Sequence, residues 1–503
     1  MKRRAFLLSS AALLLAQSAR ADMPRFLSSE PFTPDTVRAL ARKLAAAPFQ
    51  VRPEVPAAWR DLTYDQYRMI WFNTSKALWE GTDLPFRLDL FHPGLYFPRA
   101  VEVDVVRADT ANRLAFDYAL FDKTDSAPDL PVDETMGYSG LRLRHRYAGE
   151  ANHREFAVFQ GASYFRAIGA AQNYGLSARG LALRTGDAEG EEFPDFTQLW
   201  VEEPVMGDEA ITVHALLDSP SVTGAFRFVI RPGMACEMEV EATLYPRVDL
   251  DHVGIAPLTS MFLYDETNRP RFDDFRPAIH DSDGLLIWNG RGEMLWRPLA
   301  NPVGLQVSSF VDDTPRGFGL MQRADKLSDF ADLEAHYHKR PSLWIEPGED
   351  WGQGVVRLVE IPSDKEIYDN IVAYWRPRDP LLAGSEARFT YRMTWGDGAA
   401  TRRDVAAVGN THMGRNFNRD RWLAAIDFEP HPALADLDDV TIRINSGSSD
   451  VSGGVLQRNP ETGGARLAFT FDPGDRPASE LRAQLFRDGT AISEVWLYRW
   501  TAA

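Results

Sequence analysis

Between Glu360 and Trp375 the chain reads EIPSDKEIYDNIVAYW, with Glu360, Asp364, Glu366 and Asp369 set around a single base, Lys365. After Asp369 and Asn370 it turns apolar: Ile371, Val372, Ala373, Tyr374, Trp375. A carboxylate at a strand mouth beside aromatic rings can serve as a general acid, because loss of water favours its neutral form. An acidic turn leading into a strand reads the same way without any chemistry. A second acidic turn, PAIHDSDGLL from Pro277 to Leu286, places Asp281 and Asp283 just before another apolar segment. Glycosidic cleavage needs two carboxyl groups of opposed state, one protonated and one ionised. Spacing alone does not select Asp281 and Asp369 from the 72 acids of the chain.

Other chemistries find less support. There is no phosphate-binding GxxxxGK(S/T) loop, no GxGxxG and no GxSxG nucleophile turn. His336 and His338 form the one close histidine pair, with no evident third ligand, so no metal and no cofactor is expected. A single cysteine, Cys236, excludes an intrachain disulfide and reads as a buried apolar group in an alternating segment. Trp288, Trp296, Trp344, Trp351 and Trp375 fall near the acidic stretches. Each reads singly as core, but as a group they suit a carbohydrate cleft, since sugar C–H faces pack on indole rings.

These residues must be held by strands. Phe389, Tyr391, Met393 and Trp395 share one face of a period-two segment. Phe226, Phe228 and Ile230, then Leu467, Phe469 and Phe471, and finally Trp496, Tyr498 and Trp500 repeat the pattern. Helical signals are few. Thr33-Pro34-Asp35 opens a helix whose apolar face holds Val37, Leu40, Ala41 and Leu44; Thr63 with Gln66 is a capping box; a short helix is predicted over Asp329–His336. The fold is therefore mainly β, of antiparallel sheets stacked face to face. A glycine-bearing polar stretch after Asp397 reads as a linker over residues 398–416. It separates a large β-sandwich domain, residues 22–397, from an immunoglobulin-like sandwich of residues 417–503, with few core contacts between them.

Residues 1–21 read as an export signal. Lys2, Arg3 and Arg4 precede an apolar run, and Ala19-Arg20-Ala21 offers a cleavage site. Arg3-Arg4-Ala5-Phe6-Leu7 fits the twin-arginine type. Removing these residues takes away four bases and no acid, moving the formal charge from −17 to −21. So acidic a body repels nucleic acid and anionic membrane surfaces, and no second long apolar run predicts membrane insertion.

A series of stretches in order resembles the periplasmic glucan biosynthesis family, OpgG and OpgD (also MdoG and MdoD). They include GASYFRAIGAAQNYGLSARGLAL (161–183), GEEFPDF (190–196), LLDSPSVTGAF (216–226), APLTSMFLY (256–264), RPAIHDSDGL (276–285), RGFGLMQR (316–323) and DNIVAYWRP (369–377). The likeness runs from about Glu30 to the C-terminus and is strongest before Asp397. It implies a large sandwich similar to the galactose-mutarotase and supersandwich class, then an immunoglobulin-like domain. It also implies a periplasmic location and a β-1,2-linked glucan as partner in the biosynthesis of osmoregulated periplasmic glucans. A homodimer and a functional link to a membrane glucan synthase belong to the same set of expectations. Some members look like inverting endo-β-1,2-glucanases, others like transglycosylases. The resemblance makes Asp369 the general acid and Asp281 the general base, with Tyr337 and Arg340 beside them and Tyr164, Arg179 and Glu191 as further candidates for the same groove. It leaves open a non-catalytic protein that receives or guides the nascent glucan. Asp369, followed by a buried strand, is expected to be partly desolvated.

Overall fold

The computed structural model describes residues 24–397 and 404–502. The export signal expected over residues 1–21 lies outside the described residues. The chain is mainly β, as the alternation predicts. Among the described residues no helix is long and apolar enough to cross a membrane. Two compact units emerge. The first gathers the chain up to Phe165 with Asp195–Pro232 and Thr243–Arg247; the second holds Arg166–Pro194, Gly233–Ala242 and the chain from Val248 onward.

In the first unit the strands Phe26–Pro31, Thr110–Leu114, Glu102–Arg107, Asp195–Glu202, Ile211–Asp218 and Val222–Arg231 lie side by side. All these pairs are antiparallel except Asp195–Glu202 with Glu102–Arg107, which is parallel. The helix Pro34–Ala45 lays Val37 and Ala41 against Phe32, Val106, Trp200 and Leu216. The Thr63 hydroxyl accepts from the Gln66 N–H at 3.2 Å while the Gln66 side chain accepts from the Thr63 N–H at 2.9 Å, so the second helical signal is a true capping box.

In the second unit one run of neighbouring strands is Gln306–Asp313, Gln353–Glu360, Ile371–Pro377, Val253–Ser260 and Ser177–Arg179, all antiparallel. Ile371 to Trp375 are buried without alternation. Such a strand is covered on both faces, which is why its sequence is a continuous apolar run. Another run is Ala387–Gly396, Ser342–Pro347, Gly317–Met321, Gly284–Trp288 and Met294–Pro298, continued by Val495–Thr501, Ala478–Arg487 and Thr441–Asn445. Met294–Pro298 and Val495–Thr501 pair in parallel, with Trp296 opposite Trp496.

Several expectations need correction. Core contacts across residue 397 are many, not few. Leu286, Met294, Trp296, Met321 and Trp344 share one apolar cluster with Val408, Ile426, Leu467, Phe469 and Trp496. Sequence alternation shows that a strand has an apolar face but not which sheet that face meets. Residues 398–416 are not all linker, because Val408–Arg415 is a strand paired with Trp422–Phe428. A register shift between Val408 and Asn410 breaks its period of two, and only Val408 and Thr411 are buried, so its pattern reads as loop. The Asp329–His336 helix is replaced by a single turn, Leu327–Phe330, and a 3-10 turn, Tyr337–Lys339. Ala331 and His336 take left-handed φ of 54° and 49°, and Asp332 accepts from the N–H groups of Glu334 and Ala335 at 2.8 and 2.7 Å, so local turns win over helix. Finally, Trp296, Trp344, Trp351 and Trp375 are buried core, and only Trp288 of the group is half-exposed.

Candidate active site

The two acidic turns meet in the second unit. The loop 361–370 joins two adjacent strands, and Asn370 fixes its end. Its side-chain oxygen accepts from the Phe262 N–H at 2.8 Å, and its amide donates to the carbonyls of Phe262 (2.9 Å) and Ile361 (3.0 Å). Asp369, one residue earlier, is thereby placed at the lip of the strand Ile371–Pro377. Of the four acids in this stretch, Glu360 is structural. It is fully buried, pairs with Arg297 at 3.1 Å and accepts from the Ala300 N–H at 2.7 Å.

Asp281 follows the short strand Ile279–His280 and precedes Gly284–Trp288. Its N–H donates to the Met261 carbonyl at 2.8 Å, and the hydroxyls of Ser282 and Ser260 meet at 2.9 Å. Asp283 is used differently, accepting from the N–H groups of Arg323 and Ala324 at 2.9 and 3.0 Å. At Gly284 any side chain would collide with the Trp296 ring, so glycine there lets the turn close over the core. The buried Asp281 carboxylate is held by Arg340. Burial pushes its pKa up to about 6, Arg340 pulls it down, and the charge of Asp369 raises it further. The two acids therefore feel one another. Neighbouring His280 is buried, and desolvation drives its pKa down to about 4, leaving a neutral ring that meets Gln322 at 2.9 Å.

Tyr337 and Arg340 complete the constellation. The Arg340 guanidinium sits 4.2 Å from the centre of the Tyr337 ring. The Tyr337 hydroxyl donates to Glu366 at 3.1 Å. Burial, reinforced by Glu366, raises the Tyr337 pKa, so the phenol stays protonated. Glu366 pairs with Arg276 at 2.9 Å, and Arg276 also binds Asp274 and Asp332, each at 2.8 Å. One guanidinium thus ties three loops together beside the Asp281–Arg340 pair. Arg166 approaches Asp369 at 3.9 Å.

Asp281, Asp369, Tyr337 and Arg340 are brought together within one unit. Contrary to expectation, Asp281 is the desolvated acid and Asp369 is exposed, with 36% of its side chain open. An apolar strand after a residue does not bury the residue itself when it ends a loop. Arg179 and Glu191 form an ion pair at 2.5 Å that Thr185 joins, with Arg179 only 3% exposed. This pair fastens the loop before Asp195 to the strand Ser177–Arg179. Tyr164 belongs to the first unit, half-buried at the start of Tyr164–Ala167. Sequence reasoning missed Arg276, Arg166 and the role of Glu366. Glu366 stood in the opening stretch, but nothing in one sequence pairs it with Tyr337. The rings of His336 and His338 lie 5.7 Å apart, and no group of three His, Cys, Asp or Glu able to hold a metal occurs among the described residues.

The site defines a carboxylate pair on a β scaffold. The chain matches the family described as periplasmic glucan biosynthesis protein, MdoG, over residues 32–500, and it belongs to that family. It is 48% identical to "Glucans biosynthesis protein G" of Shewanella sp. (strain ANA-3), over 97% of this chain and 90% of that protein. The protein of the same name from Vibrio cholerae serotype O1 (strain ATCC 39541 / Classical Ogawa 395 / O395) is also 48% identical, covering 95% of this chain and 88% of its own length. Among solved structures, a heparan sulfate lyase HepC mutant from Pedobacter heparinus aligns at TM-score 0.25 and 8% identity, over 58% of this chain and 40% of the lyase. A galactose mutarotase related enzyme from Lactobacillus acidophilus aligns at TM-score 0.22 and 9% identity, over 48% of this chain and 97% of that enzyme. Values this low carry no inference about activity.

Proposed function

We propose that the chain works in the periplasm on the β-1,2-linked backbone of osmoregulated glucans, cutting or remodelling it within the chain with inversion at the anomeric carbon. Membership of a family described as periplasmic glucan biosynthesis proteins, and likeness to glucans biosynthesis protein G, support the compartment and a glucan. The observation that carries the chemistry is that one stretch of backbone holds both turns: the Asp281 N–H donates to the Met261 carbonyl, and Asn370, next to Asp369, bonds the N–H and carbonyl of Phe262. Asp281 is the general base. Its contact with Arg340 favours the carboxylate, and a pKa near 6 leaves it ionised at neutral pH yet more basic than an ordinary aspartate. Asp369 is the general acid. It stands open to an arriving sugar, with its side chain exposed at the lip of the strand Ile371–Pro377. Protonation of the glycosidic oxygen by Asp369 and attack by water, or by a sugar hydroxyl, on the opposite face complete an inverting displacement. Tyr337, held by Glu366, and Arg340 position the base.

A second reading is a carrier that holds the nascent glucan without cutting it. The Arg340 clamp on Asp281 favours it, because an engaged carboxylate is less free to take a proton. Incubating the mature protein with linear β-1,2-glucan and assaying new reducing ends tests the choice. Turnover that disappears in Asp369→Asn supports the enzyme. Saturable binding with no new ends, in the presence or absence of an acceptor sugar, supports the carrier.

A further inference from the structure

A groove of about 940 Å³ in the second unit is lined by none of the residues assigned to the glucan site. Arg291, Arg357, Arg376, Arg378 and Arg482 line it, on an apolar floor that includes Leu295 and Leu497. This concentration of positive charge stands out on a chain of net charge −17.

Each acid of the groove has hydrogen-bond partners, but only Glu293 forms an ion pair with an arginine among the described residues. Glu293 pairs with Arg482 at 3.0 Å and accepts from Asn289 at 2.9 Å. Asp312 accepts from the N–H groups of Gly290 (3.0 Å) and Asp313 (2.8 Å), and Asp313 accepts from Gln353 at 3.2 Å. Arg378 is held by Asp379 at 3.1 Å. Three arginines of the groove form no ion pair within 4 Å of a carboxylate among the described residues. Arg376 spends Nε and Nη2 on the Asp251 carbonyl, at 3.2 and 2.7 Å, which leaves Nη1. Arg357 reaches the Ser309 hydroxyl at 3.4 Å, the His252 Nε2 at 3.2 Å and the Tyr374 hydroxyl, none of which is a carboxylate that would cancel its charge. The His252 Nε2 also meets the Tyr374 hydroxyl at 2.7 Å, and burial lowers the His252 pKa, which favours a neutral ring. Its Nδ1 faces Asp187 at 2.8 Å on the far side of the ring. Arg291 is exposed on the hairpin turn between Trp288 and Met294, where its charge also acts on Asp312.

Register fixes how two of these charges sit. Val355 lies opposite Arg376, and Arg357 opposite Tyr374, so both arginines project from one face as diagonal neighbours. Diagonal residues of an antiparallel pair are about 7–8 Å apart, within reach of long side chains. Two like charges so placed repel unless an anion lies between them, and guanidinium forks match planar or tetrahedral oxyanions. We propose that this groove is a second binding site, for a carboxylate or phosphate group, with Arg357 and Arg376 as its clamp and Arg291 at its mouth.

Calorimetric titration of the full chain with inorganic phosphate and with glucose 6-phosphate, in a low-salt buffer free of both, tests this. We expect saturable one-site binding that weakens with added salt, and a loss of about tenfold or more in the R357Q/R376Q double variant. Tighter binding of the sugar phosphate identifies a sugar-borne anion as the preferred ligand; equal binding identifies the free anion. No saturable binding of either probe overturns the proposal, as does unchanged affinity in the double variant. Arg357 also braces His252, so the double variant is checked by thermal melting. Should it misfold, Arg291→Glu at the exposed mouth decides instead, with weaker binding supporting the site and unchanged binding overturning it.

Discussion

Asp281 and Asp369 carry the same carboxyl group into different surroundings, and those surroundings set what each can do. Asp281 is buried with a pKa pushed up to about 6, so a reaction that needs it ionised gains rate as pH rises through that value. We expect kcat/KM on β-1,2-glucan to show an acid limb near pH 6. Arg340→Gln removes the opposing positive charge, and the limb should move to higher pH. A limb that stays near pH 4 in both proteins would remove Asp281 from the base role. Asp369→Asn keeps the shape of the lip but cannot donate the proton, and turnover should fall by about 10²–10⁴ with glucan affinity retained. Loss of affinity with turnover intact contradicts the assignment. The residue types at these positions were legible from the acidic turns, and the pairing came through the family resemblance. Burial was not legible: the apolar run after Asp369 announced a strand, yet the Asn370 side chain anchors the loop and leaves Asp369 outside.

Among elements, strands were easier to read than turns. Ala387–Gly396, Val222–Arg231, Ala465–Asp472 and Val495–Thr501 each appear where alternation placed them, because one buried face imposes a period of two. The turns around the site depend on partners distant in sequence. Arg276 shows why, since its three carboxylates come from residues 274, 332 and 366. Its contact with Asp274 holds that carboxyl down at about 2, below the usual range. Arg276→Lys keeps the charge but cannot bridge three acids at once. The loop 361–370 should then lose its register against Tyr337. We expect kcat to drop by about tenfold to a hundredfold, the size of effect a displacement of about 1 Å produces, with the overall melting temperature little changed. Hydrogen exchange of residues 361–370 should quicken. Unchanged kcat with unchanged exchange would show that Arg276 does not position the loop.

At the scale of the whole second unit, the apolar cluster through Trp296, Trp344, Phe469 and Trp496 makes the C-terminal strands part of one core. The Trp496 indole N–H also donates to the Thr411 hydroxyl at 3.0 Å, and Arg323, stacked 3.6 Å from the Trp296 ring centre, pairs with Glu494 at 2.8 Å. The sequence showed a polar break after Asp397 and repeated strands beyond it, which resembles a boundary. It could not show that the apolar faces on both sides meet one another. A chain ended at Asp397 would expose the faces of Leu286, Trp296 and Trp344 and leave Arg323 without its carboxylate partner. Losing a buried large aromatic alone costs about 3–5 kcal/mol, a sizeable share of the roughly 5–15 kcal/mol that holds a typical domain folded. Expressed alone, residues 22–397 should therefore aggregate or melt far below the full chain, and Trp496→Ala should lower the melting temperature of the intact protein in a single shared transition. A soluble 22–397 fragment melting as high as the full chain, with full-length activity on β-1,2-glucan, would show that the two parts fold independently despite the shared core.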